Sequence, residues 1–229
     1  MNTIGKCAAL LLVSTSAWSL SLSDFSNKDA ATGLRQALTQ GATQAVGTLG
    51  KPDGFLGNPQ VKIPLPPRLA KAEKMLRMAG MGSQADELVT AMNRAAEAAV
   101  PEAKPLLLNA VKSMSVQDAK DILTGGDDSV TRFFKAKTAD SLTRKFLPIV
   151  QKYTAGVGLA QSYNQLAGKG LQLGLIKPED ASIDSYVARS ALDGVYKMIA
   201  QEERAIRADP MKAAGAMAQK IFGTLDQQP

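Results

Sequence analysis

Apolar residues in this chain recur three and four positions apart over nearly its whole length, and proline and glycine cut the pattern into short pieces. That period matches one face of an α-helix, whereas a half-buried strand would alternate every second residue. The stripe Ala31, Leu34, Leu38, Ala42, Ala45 and Leu49 is the first case, with Asp29 placed to cap a helix and Gly50 to end it. Further helices are expected over 68–79, stopped by Gly80-Met81-Gly82, and over 83–99, with Leu88, Met92, Ala95 and Ala99 inward. Pro101 and Pro105 bracket the start of the next, whose stripe is Leu107, Ala110, Val111 and Met114. Ser115 and Asp118 have capping-box spacing and open a short helix that Gly125-Gly126 ends.

Asp127 or Asp128 caps a longer helix through Phe133, Phe134, Leu142 and Phe146. Pro148 then marks a kink or a new helix, because proline is poorly tolerated in a helix interior. Gly156 and Gly158 break the next stretch, and Leu159, Tyr163, Leu166 and Leu171 form the stripe of a helix running to Gly174. After a turn at Pro178, Glu179 and Asp180, Ser182 or Asp184 caps the longest helix, to about Ala208. It turns Tyr186, Leu192, Val195, Ile199 and Ile206 to the core, and a last helix ends near Phe222. The expected fold is all-α: a single domain of about nine or ten short helices over residues 20–229, without a repeat of fixed period.

One segment escapes the helical period. Lys51 to Pro67 is rich in turn residues, and its Val61, Ile63 and Leu65 alternate with Lys62, Pro64 and Pro66. Prolines cannot donate to a strand ladder, so an extended segment laid across the helices is expected.

The N-terminus has the layout of a secretory signal peptide. Lys6 is its only charge, the apolar run Cys7 to Val13 follows, and a small-residue stretch offers cleavage after Ala17 or Ser19. The run is far shorter than the roughly 20 residues that cross a bilayer, so residues 1–19 are expected to direct export to the periplasm rather than to anchor the chain. Lys6 before Cys7 is a poor match to a lipid-anchor site.

The 229 residues contain no histidine, and Cys7 is the only cysteine. Histidine-based triads and general bases, Cys/His zinc sites and disulfide staples are therefore excluded for a processed chain. Carboxylate, lysine, tyrosine and hydroxyl chemistry survives, as do hard cations held by oxygen. No cofactor is implied. The formal charge is +6, or +5 once Lys6 leaves with the leader. Its densest group, Arg68, Lys71, Lys74 and Arg77, has helical spacing; a solvated face accounts for it, with a weak footing on anionic membrane lipid or another polyanion as the functional alternative. Nucleic acid is not an expected partner, since export would remove it and no stacking aromatics interleave the bases.

Long phrases in this chain also carry a resemblance. GKPDGFLGNPQVKIPLP (Gly50 to Pro66), ADELVTAMNRAAEAAVPEAKPLL (Ala85 to Leu107) and DAKDILTGGDDSVTRFFKAKT (Asp118 to Thr138), followed by FLPIV (Phe146 to Val150) and ALDGVYKMIAQEE (Ala191 to Glu203), resemble a bacterial envelope family catalogued as domain of unknown function 4197. The resemblance implies a helical domain behind an export signal, and it carries over no catalytic or ligand-binding residue.

The candidate site is drawn from two places. The first is the turn-rich loop, with Asp53, Phe55, Leu56 and Asn58; turn chemistry and two core-pinning side chains explain it structurally, and a ligand or partner loop explains it functionally. The second is Asn93, Arg94 and Glu97, which share a helix face and explain themselves as an ion pair with a buried polar contact. Asp127 and Asp128 are the remaining metal candidates, although a glycine stop followed by an aspartate cap accounts for them. Nine methionines and many alanines leave a closed core or an adaptable apolar groove open. The expected function is non-enzymatic binding of an apolar or anionic ligand, or of a protein, in the bacterial envelope. The rivals are a carboxylate peptidoglycan hydrolase or lyase built on Glu97 with Asn93, and a subunit that self-assembles through Ala/Gly-rich faces.

Overall fold

A computed structural model describes residues 27–126, 128–174, 177 and 181–225. The expected leader at residues 1–19, Asp127 and the turn at Pro178, Glu179 and Asp180 lie outside the described residues. Nine α-helices follow in order among the described residues: α1 (Asn27–Leu49), α2 (Pro67–Met78), α3 (Gly82–Ala99), α4 (Ala103–Lys112), α5 (Val116–Leu123), α6 (Ser129–Thr154), α7 (Gly158–Gln172), α8 (Ile183–Ala208) and α9 (Ala216–Leu225). No strand occurs among the described residues, and short 3-10 turns at Val100–Glu102 and Pro210–Lys212 carry prolines.

The periodic stripes become one continuous core. Helix α8 packs against α1 on one side and α6 on the other, and α3 closes on α6 and α8. Helices α4, α5 and α9 lie against α1, whereas α2 and α7 are carried by α3. All six residues of the first stripe are buried, as are Leu88, Met92, Ala95 and Ala99 of α3. Ser115 and Asp118 form the reciprocal capping box: the Asp118 amide donates to Ser115 Oγ at 2.9 Å, and the Ser115 amide donates to the Asp118 carboxylate at 2.9 Å. The Ser115 amide bond, followed by the Ser115 hydroxyl, holds the Asp118 carboxyl below the ordinary aspartate range. Ser182 rather than Asp184 caps α8, accepting from the Ser185 amide.

Several local expectations are corrected. Asp29 does not cap α1, which already runs from Asn27; it stands in the first turn, where a carboxylate still complements the helix dipole. Asp128 occupies the N-cap of α6 without a side-chain capping bond, because its carboxylate pairs with Arg132 instead. Pro148 neither breaks nor restarts a helix but lies inside α6. Buried Leu142, Phe146 and Val150, four apart, keep the helix continuous through it. Both Pro148 and Arg144, whose carbonyl loses its partner, are on the exposed side and open to water. On α7 the buried stripe is Leu159, Ala160, Tyr163 and Ala167, so Leu166 and Leu171 turn outward and Leu166 is 71% exposed. Tyr186 is only half-buried, with its hydroxyl donating to the Pro64 carbonyl.

Candidate functional site

The two groups of candidate residues meet. Helix α3 aims Asn93, Arg94 and Glu97 at the segment 50–66 and latches it to the bundle. Asn93 is wholly buried and treats Ile63 as a strand neighbour would. Its Oδ1 accepts from the Ile63 amide at 2.8 Å, and its Nδ2 donates to the Ile63 carbonyl at 2.9 Å and to the Val89 carbonyl at 2.8 Å. One side chain thus satisfies both backbone groups of a residue that has no ladder, and Val61, Ile63 and Leu65 remain buried in an extended run. Glu97 accepts the Phe55 and Leu56 amides on Oε1, each at 3.0 Å, and Arg94 on Oε2 at 2.7 Å. Arg94 reaches on to Asp53 at 2.8 Å. Those two carboxylates, Glu97 first, push the Arg94 guanidinium further up its already basic range.

The loop's own geometry suits this latch. Asp53 adopts φ of 63°, a left-handed conformation that aspartate tolerates better than most residues. A Cβ on Gly54 would stand 2.4 Å from the Leu49 carbonyl oxygen, so only glycine fits there. Phe55 is 0% exposed and lies against Gly194 of α8, burial that contributes about 2–3 kcal/mol. Leu56 is half-buried, and Asn58 closes an Asx turn by accepting the Gln60 amide. Helix α8 straps the segment from its other side, where Lys197 Nζ donates to the Gln60 carbonyl at 2.8 Å. Of the candidates, Phe55 and Asn93 therefore face the interior, Glu97 has both oxygens engaged, and Arg94 and Asp53 compensate each other. Beside them is a cleft of about 320 Å³ lined by Lys51, Arg94, Glu97 and Tyr153.

A larger cleft, about 490 Å³, opens where α6 meets α8. Lys135, Ala139 and Thr143 stand four apart on α6, and Ser185, Arg189, Leu192, Asp193 and Tyr196 share one face of α8. The space exists because Ala139, Thr143 and Ser185 are short. Buried Leu192 and Tyr196 contribute an apolar floor, and Lys135, Arg189 and Asp193 ring it. Lys135 Nζ sits 2.9 Å from Asp193 Oδ1 and 5.9 Å from the centre of the Tyr196 ring. Tyr196 is held by a 2.9 Å hydrogen bond with Thr138, and burial pushes its hydroxyl above the ordinary tyrosine pKa. Sequence reading places Leu192 in the core and passes over Lys135, Arg189 and Tyr196. No local pattern marks them, since they converge only through the packing of two helices.

The chain matches, over residues 24–223, the model of a family described as a protein of unknown function, DUF4197. It belongs to that family. Neither a curated protein nor a solved structure matches it. Among the described residues of this DUF4197 domain, no group of three or more acidic, histidine or cysteine side chains is arranged to hold a metal. Asp128 is engaged with Arg132, and Asp127 lies outside the described residues. No helix among the described residues is long and apolar enough to cross a membrane.

Proposed function

We propose that this DUF4197 protein is an exported, non-enzymatic binding protein of the bacterial envelope, and that the α6–α8 cleft takes a small amphiphilic anion. The observation that carries the reading is the pairing of an apolar floor, Leu192 and Tyr196, with the cations Lys135 and Arg189 on the rim. A cleft lined by apolar side chains with a few convergent polar groups is how small-molecule sites are generally built. The non-enzymatic part draws support from Glu97, the strongest carboxylate candidate. An acid whose two oxygens already accept two amides and a guanidinium has no proton placed for a glycosidic oxygen.

The test uses anilinonaphthalene sulfonate as the amphiphilic anion and phenylnaphthylamine as its uncharged counterpart, followed by fluorescence. The anion is expected to bind more tightly, Arg189→Gln to weaken it about tenfold, and Ala139→Phe to block both probes. Equal affinity for the two probes, or binding unmoved by Ala139→Phe, overturns the reading. Release of soluble fragments from peptidoglycan, abolished by Glu97→Gln, would replace it with the hydrolase. A second reading, self-assembly, is favoured by Leu166 and Leu173, exposed at 71% and 73%. Mass that rises with concentration in light scattering, and reverts in Leu166→Ser, would establish it.

A further inference from the structure

Helix α2 buries none of its residues, which is unusual for a helix so well placed to pack. Its inward side is Leu69, Ala72 and Leu76, three and four apart and half-buried against α3. Half a turn away, Lys71, Lys74, Met75 and Met78 stand at the i, i+3, i+4, i+7 spacing of a single face. All four are exposed, Met75 by 69% and Met78 by 72%. The structure therefore sorts the basic group of the sequence in two. Arg77 is drawn to the flank, where it forks to Glu73 at 2.9 Å and Asp86 of α3 at 2.7 Å. Lys71 and Lys74 form no ion pair among the described residues, and they share their face with two thioethers rather than with polar side chains.

From this face we infer that α2 docks the protein on the surface of an anionic lipid bilayer. An acidic protein would be met by the lysines alone, and an apolar groove by the methionines alone. A lipid interface satisfies both within one helix width: the ammonium groups reach lipid phosphates, and the flexible Met side chains enter the acyl boundary beneath them. The charge complementarity is direct, since the only acid on α2, Glu73, is bound to Arg77 and leaves the two lysines facing outward. Docking disturbs nothing that holds the fold, because α2 is carried by α3 and followed by Gly80 at φ 78°. Such binding is shallow, reversible and sensitive to salt.

Sedimentation of the full chain with vesicles tests this, comparing phosphatidylglycerol mixed with phosphatidylethanolamine against phosphatidylcholine alone. The readout is the difference in bound fraction between the two vesicle types. Binding is expected on the anionic vesicles only, and to fall as salt is raised. Lys71→Gln with Lys74→Gln is expected to weaken it about thirty-fold, and Met75→Ser with Met78→Ser about tenfold. The control Lys104→Gln with Lys112→Gln, on exposed positions of α4, removes the same charge and is expected to change little. Since α2 buries nothing, the variants fold, and an unchanged far-UV circular dichroism spectrum verifies it. Three results overturn the inference: equal binding to both vesicle types, a control that falls as far as the α2 variants, or failure on vesicles with retained binding of the same face to polyglutamate, which would make the partner an acidic protein.

Discussion

Replacing Asn93 by alanine probes the joint on which the extended segment depends. The substitution removes the acceptor of the Ile63 amide and the donor to the Ile63 carbonyl, both buried. Each buried backbone group left unpaired costs about 1–3 kcal/mol. The third bond, to Val89, ends on a carbonyl within the same helix and its loss adds little. A total of about 2–6 kcal/mol is therefore expected, equivalent to a fall of roughly 4–24 °C in melting temperature for a chain of this size. Urea unfolding followed by circular dichroism measures it, and hydrogen exchange should show the Ile63 amide losing protection more than amides elsewhere in the core. Asn93→Asp separates pairing from packing. Only a protonated carboxyl donates to the Ile63 carbonyl, so this variant should regain stability as the pH falls, opposite to the usual acid response of a paired carboxylate. A loss below about 1 kcal/mol for Asn93→Ala, with Ile63 exchange unchanged, would refute the view that one side chain substitutes for a strand.

The Gly194 position should be equally specific: a Cβ there lies 2.8 Å from Phe55 Cε1, so Gly194→Ala is expected to lose about 1–3 kcal/mol despite its better helix propensity, and Phe55→Leu to offset part of that in a double-mutant cycle. Pro148→Ala, on the exposed side of α6, should stabilise by about 1–3 kcal/mol in thermal unfolding by restoring a helix hydrogen bond. Asp118→Ala should cost about 1 kcal/mol near neutral pH. The folded-state pKa of Asp118 lies below the ordinary 3.8, so its contribution is present above that value and vanishes as pH falls through the folded pKa. Wild type and variant should then converge in acid. Tyr196 works from the other end of the scale: its folded pKa is raised above 10.0, so its contribution holds below pH 10 and is lost as alkali ionises the unfolded chain first, a decline that Tyr196→Phe should lessen.

How far the candidate site can be read from sequence differs from residue to residue. Asn93, Arg94 and Glu97 stand out because polar side chains interrupt an apolar helix face, and Asp53 to Asn58 because turn chemistry is local. That the two groups bond to each other is a long-range event, 41 residues apart for Glu97 and Leu56, and no periodicity encodes it. The α6–α8 cleft is less legible still, since it is defined by what short side chains leave empty between two helices.

Helix positions, the Ser115 box and the turn-rich loop follow from sequence alone, because each depends on interactions within a few residues along the chain. The direction every face takes depends on which neighbour covers it. Packing alone carries α6 through Pro148, turns Leu166 outward, and sets Met75 and Met78 beside two lysines on the open side of α2. Burial is a property of the assembled bundle: its free energy outweighs a local propensity of about 1–3 kcal/mol wherever several core side chains act together.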